Sequence, residues 1–578
     1  MNSRRLADVS KRLLSAGVGV LALLTLGGIA PAPAAGTTSP VVKHIQSLAG
    51  TGKKLEQHLT HDPDQVLSEG GLALLNIADR STQLVSAVSQ GIQGKVQGPK
   101  KLPQGEASDP FATEDFISRL LGMTQSETSA AWCDRNALIG FNDSGSFSAS
   151  LFASPSPSGS LSFEGWSRST DAGSSYTDMG PVFADPLPSG VMFRDLCGDP
   201  VLGCTSPSTF YYTSLAADTA SSFTSFTSGI AVSRSTDGGA SFSRTVTAAN
   251  KDADTHFLDK PWMAVDPGPT SSAGDDIIHV TYTDFDFSLS NPSCPNQVRT
   301  AIEYVRSTDG GATWSAPLAI ETVCGDTPFV QGSHVAVGLG GSVYVAWEHF
   351  ADFETRDIRI ARSVNGGTSF GPTTTITSVT PVGDSFELQG DFRAFLDLQG
   401  LVVDRSSGAS KGNVYITWHD GRNRFKLDPA GFCGGAPRYC FGDALFARST
   451  NGGSSWSSPV RINDDPITLG IDQWFPAIDV DRSGTVWTTF YDRRRDSRNF
   501  LIDTFVAKST NAGATWTNSR ATSQSFAPVT GWEDLLVNPS YMGDYIAVTA
   551  DALGSSPGVI VAWGDNSLGD ANVLQRRF

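Results

Sequence analysis

Four short stretches gather side chains able to do acid–base or anion-binding chemistry: His419-Asp420-Gly421-Arg422, Tyr491-Asp492-Arg493, Glu348-His349 and Asp544-Tyr545. Arg194-Asp195 with nearby Asp199, and His256 with Asp259, add two more. Paired carboxylates can protonate a leaving oxygen and attack, or activate water for attack, from the other side. Arginine forks match a carboxylate two-pronged, so arginines beside these acids suit an anionic ligand. Five segments share the pattern aromatic, any residue, Asp, ending at Asp143, Asp284, Asp420, Asp492 and Asp565. Such a run can be catalytic or can hold calcium, but a carboxylate repeated at strand ends is more simply a turn former. Gly367-Thr-Ser369-Phe-Gly371 spells a nucleophile elbow, yet it lies between two strand-like runs with no helix after it. No phosphate-binding loop, zinc-binding helix motif or dinucleotide fingerprint occurs, and no Cys-x-x-Cys pair, so neither metal nor cofactor is expected.

The elements that position these residues follow from composition. The 578 residues carry a net charge of −17, which disfavours nucleic acid as a partner. With 59 Gly and 31 Pro the chain is rich in turns, and its 32 Phe, 12 Trp and 11 Tyr supply a large core. An all-β protein is expected.

The N-terminus reads as an address. Arg4, Arg5, Lys11 and Arg12 precede an apolar run from Leu13 to Ala30 and then Pro-Ala-Pro-Ala-Ala. That order predicts a signal peptide over 1–35, cut after Ala34 or Ala35, and hence a secreted protein with no membrane span after cleavage. Over 36–110, apolar residues at helical spacing (Val41, Ile45, Leu48, Leu55, Leu59, then Leu67, Leu74, Ala78, Val85) predict a helical hairpin broken at His61-Asp62-Pro63-Asp64, followed by a Gly-Pro linker. An oxidising compartment makes disulfides the default for the seven cysteines. The short spacing of Cys433 and Cys440 makes them the first expected pair, with Cys294 and Cys324 next.

The remainder, 111–578, repeats. Six octapeptides follow Ser-x-Asp/Asn-x-Gly-x-x-aromatic, beginning at Ser169, Ser235, Ser307, Ser363, Ser449 and Ser509. The Asp or Asn side chain can bond backbone N–H groups while Gly takes the positive φ, so each is a tight turn. Period-two runs precede each turn, such as Val343-Tyr-Val-Ala-Trp347 and Val414-Tyr-Ile-Thr-Trp418. Strand, strand, strand, turn, strand is a propeller blade. First strands begin near Glu127, Asp199, Lys260, Ser333, Gln399, Phe475 and Asp544, which favours seven blades over six. The octapeptides mark one rim, and loops entering first strands and leaving second strands mark the other.

The octapeptides resemble the Asp-box repeats of the sialidase (neuraminidase) superfamily over roughly residues 125–578. The resemblance implies a β-propeller and a glycosidase site on the rim opposite the boxes. It implies a tyrosine nucleophile, Tyr491 or Tyr545, activated by Glu348 or Glu533, with Asp199 as acid/base. It also implies three arginines on the sugar carboxylate, for which Arg194, Arg422 and Arg493 are available. By their place on the same rim, His419, Asp420, Asp492, Asp544 and Tyr545 are expected as further ligand contacts. Phe193-Arg194-Asp195-Leu196 stands in the second blade, whereas the family's Phe-Arg-Ile-Pro signature precedes the first. Two functions follow: a secreted, monomeric sialidase-like hydrolase of anionic glycans, or a non-catalytic propeller binding glycan or protein.

Overall fold

A computed structural model describes residues 124–578, apart from 153–155, 157, 221–225, 271, 385, 428–437, 529–541, 555 and 568–570, together with scattered positions between 45 and 75. The signal segment, the linker and most of the expected helical hairpin lie outside the described residues. Within the hairpin, residues 52–53 and 55–57 are helical, and Leu55 and Leu67 are buried against the propeller core with Phe147, Leu161 and Phe257.

Seven antiparallel sheets make a seven-bladed propeller. Blade 1 runs from Gln125–Cys133 outward to Thr177–Pro181, and blade 7 comprises Ala547–Ala550, Val559–Asp565 and Asn572–Arg577. The 544–565 strands therefore form their own sheet and do not complete blade 1, which settles the count. Innermost strands touch in sequence around the axis, and blade 7 closes on blade 1 through a bridge between Trp132 and Asp551. Blade 2 differs from the rest: Val191–Leu196 and Val201–Ser206 both pair with the long strand Thr209–Ala220, so its inner strand is broken at Cys197-Gly198-Asp199-Pro200.

The six octapeptides share one hydrogen-bond pattern. In the third, Ser307 Oγ donates to Asp309 Oδ1 (2.7 Å), Gly311 N–H donates to Ser307 Oγ (2.9 Å), and Thr313 N–H donates to Asp309 Oδ1 (2.9 Å). The same Gly-to-Ser bond recurs at Gly173, Gly239, Gly367, Gly453 and Gly513, each at positive φ. The closing aromatic packs edge-on against the neighbouring blade, as Phe242 does on Trp166 of blade 1 (5.5 Å) while also meeting Tyr212 of its own blade (5.5 Å).

A helix the sequence did not suggest, Ser144–Phe152, follows the second strand of blade 1. Its serines and glycine show no apolar period, but Asp143 caps it: Oδ1 accepts from Gly145 N–H (2.9 Å) and Oδ2 from Ser146 Oγ (2.6 Å). Cys294 pairs with Cys324, as expected, and Cys133 with Cys204. The Cys433–Cys440 pairing falls outside the described residues. No helix among the described residues is long and apolar enough to cross a membrane.

Candidate functional site at the propeller axis

Each inner strand enters the propeller on the rim opposite the octapeptides, and several do so through a β-bulge. Register shifts lie between Ser126 and Ser129, Asp259 and Trp262, Gln331 and His334, and Trp474 and Ala477. A bulge leaves one residue in left-handed backbone: Gly332 in blade 4, but Glu127 (φ 52°), Lys260 (φ 51°) and Phe475 (φ 54°) in blades 1, 3 and 6. Asp199 takes the same conformation (φ 62°) at the break in blade 2. Side chains pay a steric penalty there of about 1–3 kcal/mol each, so three charged residues sit where glycine would be easier.

The bulges aim those charges at the axis. Lys260 Nζ lies 3.5 Å from Glu127 Oε1 and 3.7 Å from Asp544 Oδ2. Glu127 also accepts from Asn142 Nδ2 (3.0 Å) and from Asp544 N–H (3.0 Å), while Asp199 Oδ2 accepts from Lys260 N–H (3.2 Å). Gly543 permits this approach: a Cβ there would stand 2.7 Å from Glu127 N. The Tyr545 ring lies under Lys260 Nζ (4.0 Å to the centroid), and its hydroxyl donates to Pro200 O (3.2 Å). A second cation, Arg393, places Nη1 3.5 Å from Asp544 Oδ1 and donates from Nη2 to Leu67 O (2.7 Å). Glu127, Asp199, Lys260 and Asp544 are all buried.

Burial dominates the electrostatics. It pushes the Glu127 carboxyl well above its usual range despite Lys260, with Asp199 and Asp544 adding repulsion and a carboxyl–carboxyl hydrogen bond to Asp199. Glu164, beside Asp199 and bonded to Tyr212 Oη (2.9 Å), is raised by the same cause. Lys260 is held above its ordinary value: burial lowers it, but the surrounding carboxylates outweigh that. The Tyr545 phenol is driven up by burial and by Glu127 and Asp199. Glu127 thus keeps its proton to higher pH among carboxylates that surround one ammonium, an arrangement able to give a proton to an oxygen and to stabilise positive charge beside it.

Of the residues singled out in the sequence, Asp199, Asp544 and Tyr545 meet here; Glu127 and Lys260 were recognised only as strand starts. Arg194 makes a two-pronged pair with Asp218 (2.7 Å for each bond) within blade 2. Glu348, His419 and Asp397 surround Arg356 between blades 4 and 5: Glu348 Oε1 accepts from Leu398 N–H (2.7 Å), and His419 Nε2 lies 3.3 Å from Asp397 Oδ1. Burial raises Glu348 to about 7 and lowers His419 to about 3. Asp420 accepts from Arg422 N–H (2.8 Å) and Trp418 Nε1 (3.0 Å), and Arg422 reaches Asp420 and Ser378 O. Asp492 accepts from Arg494 N–H (2.6 Å) and Nε (2.7 Å). These bonds to the residue two positions on are those of a turn former, and Asp565 makes the same one to Ser567 N–H (2.6 Å). Arg493 is buried on Trp474, donating to Asn499 O (3.1 Å) and Gln389 O (2.7 Å). Tyr491 is buried beside Phe475, which also contacts His419, and its hydroxyl donates to Gly564 O (2.9 Å). Glu533 lies outside the described residues.

No protein-family model and no curated protein matches the sequence. Among solved structures, a sialidase described as Hadza microbial is similar over 84% of this chain and 98% of its own, at 12% identity and a TM-score of 0.39. An ulvan lyase of a polysaccharide lyase family is similar over 84% and 94% (10% identity, TM-score 0.41), and an α-L-arabinofuranosidase of Fusarium graminearum over 74% and 97% (11%, 0.38). What those proteins act on does not decide the chemistry here, which rests on this chain's own residues.

Proposed function

We propose that the protein is a secreted glycoside hydrolase acting on anionic, sialic-acid-type glycans, with its reacting groups at the propeller axis. The observation that carries this is the set Glu127, Asp199 and Asp544 around Lys260 at the ligand rim, with Glu127, Asp199 and Lys260 on left-handed backbone. Protonated Glu127, with Asp199 beside it, gives its proton to the leaving oxygen as the glycosidic C–O bond breaks, and Asp544 takes a proton from the water whose oxygen bonds to the anomeric carbon. Lys260 and Arg393, both directed at Asp544, are the cations available to a sugar carboxylate. Carboxylates suit the reacting roles better than the phenols, because Tyr491 and Tyr545 are both pushed up by burial and nearby acids, away from the phenolate. Substrate reaches Asp544 once Arg393 swings off it.

Turnover of a fluorogenic sialoside, beside a panel of neutral aryl glycosides, tests the reading. Wild type should hydrolyse the sialoside, and Glu127→Gln should lose roughly a hundredfold or more while keeping its melting temperature. Unchanged turnover in Glu127→Gln would remove the axial site. Binding of sialosides without turnover by wild type would favour a non-catalytic glycan-binding propeller, a reading that the burial of the axial carboxylates supports.

A further inference from the structure

The rim of blades 5 and 6 carries a second feature, separate from the axis. The middle strands of blade 5, Val414–Leu427 and Arg438–Ser449, run on past the blade as a two-stranded arm, pairing Arg424 with Phe441 and Lys426 with Tyr439. Residues directly opposite share a face, so this face sets two cations beside two partly buried aromatic rings, Tyr439 and Phe441, 5.1 Å apart, with Tyr439 packed on the core. Arg424 and Lys426 are exposed.

The base of the arm is locked to the rim loop of blade 6. Asp472 Oδ2 accepts from Tyr439 Oη (2.6 Å) and from Asn499 Nδ2 (2.6 Å), and Asp472 N–H donates to Asn499 Oδ1 (2.9 Å). Arg493 holds the same loop from beneath through Asn499 O. The loop raises two further exposed cations, Arg495 and Arg498, the latter 74% exposed and touching Asp496 at 3.2 Å. Beside the arm, the turn at Ile467–Leu469 is also exposed, and Gly470 packs on Phe441. In a chain of net charge −17, four exposed cations and an exposed apolar turn are therefore fixed on one sector of the ligand rim.

We infer that this sector is a binding platform for an extended acidic polysaccharide, bearing uronate carboxylates or sulfates, which it holds beside the axial site. Cations recognise the anionic groups, and the exposed Ile467 and Leu469 offer apolar surface to the sugar rings. The inference rests on the proposed glycan activity for its purpose, though not for its test. Turn and aromatic packing fix the sector in place, so binding needs no ordering of the arm's base.

Affinity electrophoresis through gels containing polygalacturonate, dextran sulfate or neutral dextran tests it with the full secreted chain. Wild type should be retarded by the charged polymers and not by dextran, with retardation falling as salt rises. The variants Arg424→Gln/Lys426→Gln and Arg495→Gln/Arg498→Gln should each weaken binding roughly tenfold, the combined effect of two lost charge contacts. Lys411→Gln/Lys508→Gln, exposed cations on the octapeptide face, should leave it unchanged. Retardation by polygalacturonate alone identifies carboxylate as the recognised group, and by dextran sulfate alone, sulfate. Equal weakening by the Lys411/Lys508 control, or none by the rim variants, overturns the platform. So does tighter binding to single-stranded DNA than to either polymer. A protein that binds the polymers but hydrolyses no glycoside keeps the platform and loses the axial hydrolase; turnover without polymer binding does the reverse.

Discussion

Replacing Lys260 with Met removes the one ammonium that faces both Glu127 and Asp544, at 3.5 and 3.7 Å. Methionine roughly fills the same space, so the change is chiefly of charge. Breaking a buried ion pair on one side costs about 3–5 kcal/mol, because Glu127 stays buried without its counter-charge, while Asp544 keeps Arg393. Glu127 already has a raised folded pKa, and losing Lys260 raises it further. A group with a raised folded pKa contributes stability that is complete below its unfolded value, about 4.3, and is lost as pH rises through the folded value. The variant's deficit should therefore be largest at pH 7–8 and shrink towards pH 4–5, where Glu127 is protonated. Thermal unfolding of wild type and Lys260→Met from pH 4.5 to 8 measures this. A deficit independent of pH would show that Lys260 acts by packing on Tyr545 and not as a counter-charge, and the electrostatic account of the axis would be wrong.

Glu348, raised to about 7 beside Arg356 and Asp397, follows the same sign. Glu348→Gln should flatten the fall in stability between pH 5 and 8, and an unchanged pH profile would contradict it. Asp309 is held down to about 2 by hydrogen bonds from Thr313 and Ser307, so its contribution is present above about pH 4 and lost as pH falls towards 2. Asp309→Ala should cost about 1 kcal/mol at pH 7, read by denaturant unfolding, and clearly less at pH 2. Tyr491→Phe should lower the melting temperature by leaving Gly564 O without its donor, at a cost of about 1–3 kcal/mol, and should keep turnover. Abolished turnover at an unchanged melting temperature would instead make Tyr491 a reacting group.

The blades were legible because each one announces itself locally. The octapeptide's serine, acid and glycine are bonded to one another within five positions, so the motif needs no tertiary knowledge. The axial site is the opposite case. Glu127 and Asp544 N–H meet across 417 positions, and only closure of the ring brings them together. Strand starts could be read at Glu127, Asp199, Lys260 and Asp544, but which strand starts aim inward depends on bulges that leave no periodic trace. Arg194, Arg422 and Arg493 look alike in sequence, and the residues that occupy them, Asp218, Asp420 and the carbonyls of Asn499 and Gln389, are fixed by packing. The Ser144–Phe152 helix was invisible for a simpler reason: its start depends on a cap, Asp143, that reads equally well as a strand-end turn.

The two rim features carry opposite charge, and an acidic ligand must tolerate the axial one. Screening limits the conflict. At physiological salt a charge is felt over about 8 Å, so carboxylates enclosed at the axis act little on a chain lying along the outer rim. Those carboxylates are also muted where they stand: Glu127 holds its proton to higher pH, and Asp544 faces both Lys260 and Arg393. The cations on the arm and the blade 6 loop are exposed and meet solvent directly. On the proposed reading, a polyanion approaching this face encounters the basic sector first, and the acids only when a sugar displaces Arg393 from Asp544. The charge that binds and the charge that reacts can then coexist on one face of an acidic protein.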